Sequence, residues 1–242
     1  YPVGTNNVAL GDESLRDITT GSNNTAVGRA SLTNVEDGQH NTSVGQNSVT
    51  LTTSGSYNTG VGSGALQSNT TASENVAVGY RAMLTNTTGA DNTAVGPDSM
   101  YDNTTGQKNA AFGKASLGDN TTGNYNVAIG PYAMRLNTTA SESTAVGYQA
   151  GYNSTGQRNA FFGSEAGESN TSGQSNTYIG RQAGTLMTTG SNNTILGRYT
   201  GNNGGLDIRT ASNNIVLSDG DGNPRMYYTN ATVNWRIATP SN

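Results

Sequence analysis

Asn92-Thr93-Ala94-Val95-Gly96 is one copy of a five-residue phrase that recurs along the chain. Its first residue falls at 7, 24, 41, 58, 75, 92, 109, 126, 143, 159, 176 and 193, so that ten of the eleven spacings are 17 residues and one is 16. A fixed period of this kind is the signature of stacked repeats and is not expected from a mixed globular topology. The chain is therefore predicted to be a repeat protein. Asn92, Val95 and Gly96 are predicted to be structural residues of one rung, which is one coil of the stack.

The composition favours a thin solenoid. Only 32% of the residues are hydrophobic and 12% are charged, with a net charge of -4. Low apolar content is typical of disordered chains, but this chain repeats strictly, and a solenoid needs few apolar side chains per coil. The 12 Lys and Arg residues are scattered, which argues against nucleic-acid binding. There is no 18-residue apolar run for membrane insertion and no cysteine.

Residue types are position-specific when each coil is counted from its leading residue as position 1. Position 4 is large and apolar and position 5 is Gly in all twelve copies, whereas position 8 is small. Positions 2 to 4 are predicted to form a short strand that Gly ends, and positions 7 to 9 a second extended stretch. The Asn-Thr-Thr-Gly stretch that follows predicts a turn. Successive rungs are expected to stack about 4.8 Å apart.

The side-chain sizes at positions 3 and 9 exchange near residue 150. In the first eight coils position 3 is small and position 9 is Leu, Val or Met, as in the pair Ala94 and Met100. In the last three coils position 3 is bulky and position 9 is Gly, in the pairs Phe161 and Gly167, Tyr178 and Gly184, and Ile195 and Gly201. Because cores tolerate volume-conserving swaps best, the two positions are predicted to share one packed space. A change of cross-section, or a new packing of subunits, is predicted near residue 150.

The 17-residue period of the repeat ends after Gly197. Residues 201–205 read as a loop, and strand-like stretches at 214–218, 225–228 and 233–237 predict a small C-terminal β-hairpin cap with Trp235 as a packing anchor. We predict two domains, a repeat domain over 1–200 and a loop with a β cap over 201–242. Because the chain begins at Tyr1 within a repeat-like phrase, we expect it to be a piece of a longer protein.

The repeat resembles a known family. The Asn-Thr-Ala-Val-Gly phrase, followed by a small residue and Leu, is similar to the head repeat of YadA-like trimeric autotransporter adhesins. With its Asn-Thr-Thr-Gly spacing it is even closer to the repeats of bacteriophage tail fibres. The resemblance covers about residues 4–200 and implies an all-β, left-handed parallel β-solenoid (β-roll) of about twelve coils, assembled as a homotrimer. The repeat is longer than that of the adhesin head and the chain shows no coiled-coil stalk, which favours the fibre.

By this resemblance we expect a structural and adhesive module outside the cell: a segment of a phage tail fibre or surface adhesin that contacts host-surface glycans. The expected partners are further copies of the chain and a surface glycan, and no cofactor is expected. A self-assembling extracellular filament or sheath remains an alternative, as does an ice-binding solenoid. The ice-binding alternative is disfavoured because the paired threonines, such as Thr87 and Thr88, are adjacent and should point to opposite faces.

Few residues stand out as candidates for chemistry. Seven tyrosines at variable positions could stack on saccharide rings, or could instead cover corner backbone or a trimer seam: Tyr57, Tyr80, Tyr101, Tyr125, Tyr132, Tyr148 and Tyr152. The single histidine, His40, has no fixed partner and is predicted to be a solvated corner residue. The carboxylates do not single out a glycosidase pair, and the chain is predicted not to be an enzyme.

Two further motifs have a structural and a functional interpretation. Eleven Asn-x-Ser/Thr triplets could be glycan acceptors, but repeat copying multiplies any triplet, so hydrogen-bonded ladders are favoured. They begin at Asn23, Asn41, Asn69, Asn86, Asn103, Asn120, Asn137, Asn153, Asn170, Asn192 and Asn230. Asp219-x-Asp221-x-Asn223 matches the opening of a calcium loop, but it lacks a clear distal Glu and is predicted to be a plain turn without metal.

Overall fold

The computed structural model describes residues 4–229, which contain strands and turns but no helix. One three-residue strand occupies positions 2 to 4 of each coil: β1 (Val8–Leu10), β2 (Thr25–Val27), β3 (Thr42–Val44), β4 (Thr59–Val61), β5 (Val76–Val78), β6 (Thr93–Val95), β7 (Ala110–Phe112), β8 (Val127–Ile129), β9 (Thr144–Val146), β10 (Ala160–Phe162), β11 (Thr177–Ile179) and β12 (Thr194–Leu196). The later strands are β13 (Asn202–Asn203), β14 (Leu206–Asp207), β15 (Ile215–Ser218) and β16 (Pro224–Tyr228). Across residues 4–229, therefore, no helix is long and apolar enough to span a membrane.

The chain divides into two compact units, Tyr1–Asn126 and Val127–Asn242. In the first, β1 to β7 pair in sequence order and in parallel, each residue with its equivalent 17 positions later. In the second, β8 to β12 pair in the same way, with one 16-residue step from β9 to β10, and β15 continues the ladder after β12. β16 closes the ladder as the antiparallel partner of β15, and β13 pairs with β14 in a separate small hairpin.

The predicted fold class is confirmed: the chain is all-β, a parallel β-solenoid of about twelve coils with a small antiparallel hairpin at its C-terminal end. The domain boundary after residue 200 stays a prediction. The stretch at 233–237 and its Trp235 lie outside the described residues.

The interior of each coil is a narrow column that is polar as well as apolar. In the coil that begins at Asn92, the fully buried side chains are those of Asn92, Ala94, Ser99, Met100 and Asn103. Side chains alternate along a strand, so the middle residue of β6 points inward while its two neighbours point outward. Because amides and a hydroxyl share the column with Ala and Met, a chain with only 32% hydrophobic residues can still fill its interior.

The leading Asn links each coil to its neighbours. The Oδ1 of Asn92 accepts the backbone N–H of Asn109 at 3.0 Å, and its Nδ2 donates to the carbonyl oxygen of Gly106 at 2.8 Å. The backbone N–H of Asn92 in turn donates to Oδ1 of Asn75 at 3.0 Å. The same arrangement recurs in coils of both units. Buried polar groups are costly unless they are hydrogen-bonded, so this ladder is what makes a buried Asn at position 1 acceptable.

The predicted second extended stretch at positions 7 to 9 is wrong. These residues form turns whose backbone is left-handed at positions 7 and 9, with φ of 57° at Asp98 and 50° at Met100. Position 17 is left-handed as well, with φ of 60° at Asp91. Such a conformation costs a non-glycine residue roughly 1–2 kcal/mol. Hydrogen bonds between equivalent turns offset that cost, as where the Met100 N–H donates to the carbonyl oxygen of Ser116 at 2.9 Å.

Position 5 requires glycine for two reasons. Gly96 has φ of 133°, a conformation that L side chains rarely adopt. A Cβ built at Gly96 would lie 2.7 Å from the carbonyl carbon and oxygen of Gly113 in the next coil. The stacking of coils therefore excludes a side chain here, which explains why all twelve copies have Gly.

Replacing Gly96 with Ala is expected to lower the free energy of unfolding by about 2–4 kcal/mol, from backbone strain and from contact with the next coil. Denaturation in urea, followed by circular dichroism, measures this change. Gly220→Ala is the control, because its φ is not in the left-handed range and no heavy atom lies within 4 Å of the added Cβ. Equal stability of the two variants would contradict the assignment.

Positions 3 and 9 do share one packed space, as predicted from their exchange of volume. A Cβ at Gly167 would lie 2.5 Å from the ring of Phe161, and one at Gly184 would lie 2.5 Å from the ring of Tyr178. The Phe161 ring also covers Gly151 of the preceding coil, where a Cβ would approach it to 2.6 Å. This explains why the coil beginning at Ser143 already has Gly at position 9. The change near residue 150 is thus one of internal packing, and a new packing of subunits there stays a prediction.

Candidate functional site

The outward side of the strands carries a column of apolar side chains in each unit, which we call the outer apolar column. In the first unit it consists of Leu10, Val27, Val44, Val61, Val78, Val95 and Phe112, and in the second of Ile129, Val146, Phe162, Ile179, Leu196 and Leu217. Eight of these side chains are 37% to 67% exposed, and the other five are half-buried. Contiguous exposed apolar surface marks an interaction site more often than isolated apolar residues do. The column is therefore the strongest candidate surface among the described residues.

Sequence reasoning missed this surface because a three-residue strand does not reveal which of its faces is buried. The large apolar residue at position 4 suggests an inward side chain. In the structure the small Ala94 points inward and Val95 lies half-exposed on the outer apolar column. The sequence does contain a signal for the direction of these side chains, namely the small residue at position 3. A narrow coil interior that already holds Met100 has room only for a small side chain at that position.

A threonine column lies beside the apolar one at position 2. It includes Thr25, Thr42, Thr59 and Thr93, and it is interrupted by Val76. The corner threonines behave differently, since Thr87 is half-buried and Thr88 is exposed. The two threonines of an adjacent pair therefore do not lie on one flat exposed face, in line with the sequence argument against an ice-binding surface.

The structure does not bring the seven candidate tyrosines together into one site. They occupy four repeat positions: Tyr80 and Tyr148 at position 6, Tyr132 at position 7, Tyr101 and Tyr152 at position 10, and Tyr57 and Tyr125 at position 17. Four of them are exposed (Tyr57, Tyr80, Tyr125 and Tyr148), whereas Tyr101, Tyr132 and Tyr152 are half-buried. A contact with glycan through these rings stays a prediction.

Two of the tyrosines hold a cation between them. The guanidinium carbon of Arg81 lies 4.6 Å from the ring centroid of Tyr80 and 5.0 Å from that of Tyr101. Nη2 of Arg81 also lies 2.9 Å from Oδ1 of Asp98. Cation–π contacts of this kind are favourable by about 0.5–1 kcal/mol at exposed sites. The arginine covers one face of each ring, so that a saccharide could stack only on the opposite faces.

Tyr57 and Tyr125 also have a neighbouring side chain against the ring. His40 stacks on Tyr57 with ring centroids 5.0 Å apart and planes 4° apart, which fits equivalent corners of successive coils. Nζ of Lys108 lies 5.5 Å from the Tyr125 ring. His40 is exposed in its corner, where it was predicted. The contact that His40 makes in the structure is to cover one face of the Tyr57 ring.

In the second unit, Tyr132 and Tyr148 meet edge to face, with their ring centroids 6.3 Å apart. This is a favourable aromatic geometry. The pair therefore contributes to the packing of neighbouring coils and presents Tyr148, the more exposed of the two, to solvent.

Most of the Asn-x-Ser/Thr triplets have a structural role. Seven of the eleven asparagines are fully buried: Asn41, Asn69, Asn86, Asn103, Asn120, Asn137 and Asn170. Asn41 belongs to the ladder of leading asparagines at position 1. The other six are at position 12, where Asn86 donates to Asn69 at 3.0 Å and Asn103 donates to Asn86 at 2.7 Å in a second side-chain ladder. The predicted ladder is confirmed for these sites, and a buried amide cannot accept a glycan on the folded chain. Asn23, Asn153 and Asn192 are accessible, and Asn230 lies outside the described residues.

The Asp219 segment is a turn in which the carboxylate is already used. Asp219 accepts the backbone N–H groups of Asp221 and Asn223 at 3.0 and 2.9 Å, and Nε of Arg225 donates to it at 2.8 Å. The Asn223 backbone N–H contributes most to lowering the pKa of Asp219, to about 2. No group of three or more His, Cys, Asp and Glu side chains within residues 4–229 could hold a metal ion.

The comparisons with known proteins add no family assignment: no protein-family model matches the chain, and no curated protein matches it.

Proposed function

We propose that this chain is a structural and adhesive segment of an extracellular fibre, such as a phage tail fibre or a surface adhesin, which works as a homotrimer and contacts host-surface glycans. The observation that supports it best is the outer apolar column of each unit, which is exposed in a single chain. Burying apolar surface contributes about 25 cal/mol per Å². A repeated column along the strands therefore favours association of long, regular chains.

Further copies of the same chain are the best occupants of this surface. Each copy carries the same apolar residues at the same spacings, so the column of one copy can lie in register with the column of another. Closed point-group symmetry is the commonest arrangement of homo-oligomers. That the assembly contains three chains follows from the resemblance of the repeat to trimeric fibres and adhesins.

Sedimentation equilibrium of the wild-type chain tests the proposal. We expect a discrete species of three times 24.9 kDa that persists on dilution. A variant combining Val61→Asp, Val78→Asp and Val95→Asp should sediment as a single chain, because three carboxylates would have to be buried at the contact. The matched control combines Thr71→Asp, Thr88→Asp and Thr105→Asp, exposed corner positions in the same three coils, and should leave the trimer intact.

Two results would overturn this proposal. A wild-type chain that stays folded as a monomer at all concentrations would show that the outer apolar column does not mediate association. Long polymers seen by electron microscopy would instead support the end-to-end filament.

A further inference from the structure

The last turn of the solenoid departs from the repeat and builds a small loop structure. The step from Asn193 to Asn214 is 21 residues, and the additional residues form the β13–β14 hairpin. Tyr199 lies under the hairpin, fully buried, with its hydroxyl 2.9 Å from the carbonyl oxygen of Gly201 and 2.8 Å from that of Leu206. Ile208 is also buried. The loop is thus held in place by its own core contacts.

This loop and the two preceding coils border an open surface depression of about 500 Å³ in the second unit. It is lined by Ser169, Leu186, Thr188, Asp207, Arg209 and Thr210. Thr188 is tied to the loop, because its backbone N–H donates to the carbonyl oxygen of Arg209 at 2.9 Å. A volume of several hundred Å³ is typical of small-ligand sites, and the anchored loop makes this one preformed.

The charges in the depression cancel each other. Nε of Arg209 donates to one oxygen of Asp207 at 3.0 Å and Nη2 donates to the other at 2.7 Å. This bidentate pair engages two of the five N–H donors of the guanidinium. The paired charges favour neither an anion nor a cation, but they leave carboxylate lone pairs and guanidinium N–H groups available for a ligand with hydroxyl groups.

We propose that the depression binds a neutral, hydroxyl-rich saccharide. The hydroxyls of Ser169 and Thr210 can both donate and accept, as sugar hydroxyls do, and Oγ1 of Thr188, which donates to the carbonyl oxygen of Arg209 at 3.3 Å, can still accept. Leu186, which is 44% exposed, offers an apolar contact for the C–H face of a sugar ring. The inference rests on the proposed function, since it locates the glycan contact of the fibre, and it assigns that contact to residues other than the seven tyrosines.

Binding is tested on the full chain in its native assembly with neutral di- to tetrasaccharides of glucose, galactose and mannose, and with acidic oligosaccharides for comparison. Saturation-transfer NMR detects binding and calorimetry measures affinity. At least one neutral saccharide should bind, and Arg209→Ala, Thr188→Val and Leu186→Ser should each weaken it tenfold or more. A thermal melt of each variant confirms that it is folded. Thr188→Val replaces the hydroxyl by a methyl group and removes its 3.3 Å hydrogen bond to Arg209, but it leaves the 2.9 Å backbone hydrogen bond between the same two residues in place.

The repeat supplies matched controls. Arg16 forms the same bidentate pair, with Asp17 at 3.1 and 3.0 Å, but does not line the depression. Leu51 occupies the same repeat position as Leu186 and is 43% exposed. Arg16→Ala and Leu51→Ser should therefore leave saccharide affinity unchanged.

The inference is overturned if no neutral saccharide binds, if only acidic ones bind, or if all three folded pocket variants keep wild-type affinity. Because assembly is measured separately, the two proposals can fail independently. A trimer that binds no neutral saccharide overturns the pocket assignment and leaves the fibre assignment standing. A monomer that binds a saccharide through Arg209 does the reverse.

Discussion

Replacing Asn92 with Leu should lower the free energy of unfolding by about 3–6 kcal/mol, because three buried hydrogen bonds are lost and the backbone N–H of Asn109 is left without a partner. The backbone N–H of Asn109 and its Nδ2 both donate to Oδ1 of Asn92, and the carbonyl oxygen of Gly106 accepts from Nδ2 of Asn92. All of these groups lie in the dry interior of the coil, where water cannot replace the lost bond. Equilibrium denaturation in urea measures the change.

The chain itself offers a milder control for this prediction. Ser143 takes the place of the leading Asn in one coil, and its Oγ accepts the backbone N–H of Asn159 at 3.1 Å. Asn92→Ser should therefore keep an acceptor for Asn109 and cost about 1–2 kcal/mol less than Asn92→Leu. If the Leu variant proved as stable as the Ser variant, hydrogen bonding by the ladder would not be what holds adjacent coils together.

Replacing Phe161 with Ala should lower the free energy of unfolding by about 3–5 kcal/mol, the usual cost of deleting a buried aromatic side chain. The Phe161 ring is fully buried, fills the space above both Gly151 and Gly167, and lies 5.3 Å from the Tyr178 ring. Neither glycine has a side chain that can move into the cavity. Thermal or urea denaturation of the variant measures the loss.

A second substitution tests whether positions 3 and 9 share one space. Adding Gly167→Met to Phe161→Ala gives this coil the combination of Ala at position 3 and Met at position 9 that Ala94 and Met100 form in another coil. Met100 shows that Met can adopt the left-handed backbone at position 9. The double variant should recover about 1–2 kcal/mol of the loss, although Gly167→Met alone should destabilise the wild type by overpacking. Strictly additive losses in this double-mutant cycle would show that the two side chains do not occupy a common volume.

Much of the fold could be predicted because the information is local and repeated. The β-branched stretch at positions 2 to 4, the Gly at position 5 and the compensating sizes at positions 3 and 9 each appear about twelve times. The stretch at positions 7 to 9 was misread for a physical reason. Residues such as Leu66 and Met100 have no intrinsic preference for left-handed backbone, so only the hydrogen bonds between stacked coils reveal their conformation.

The candidate site was less predictable than the fold. Tyrosines at variable positions are the natural candidates, but each of three residues covers a tyrosine ring that lies in the next coil. These contacts join Arg81 to Tyr101, His40 to Tyr57 and Lys108 to Tyr125. The depression beside Arg209 could not be anticipated either. It depends on how an irregular loop folds back over the last regular coils.

By itself, the phrase at Asn92 determined the period, the parallel ladder and the need for glycine, because each is a property of one coil copied along the chain. Only the tertiary structure decided that Ala94 points inward and Val95 outward, that Asn92 is buried, and that most of the Asn-x-Ser/Thr sites are closed to modification. The physical reason is that side-chain direction and burial depend on the coils above and below. A single coil has neither a ladder to satisfy its amides nor a neighbour to stack on.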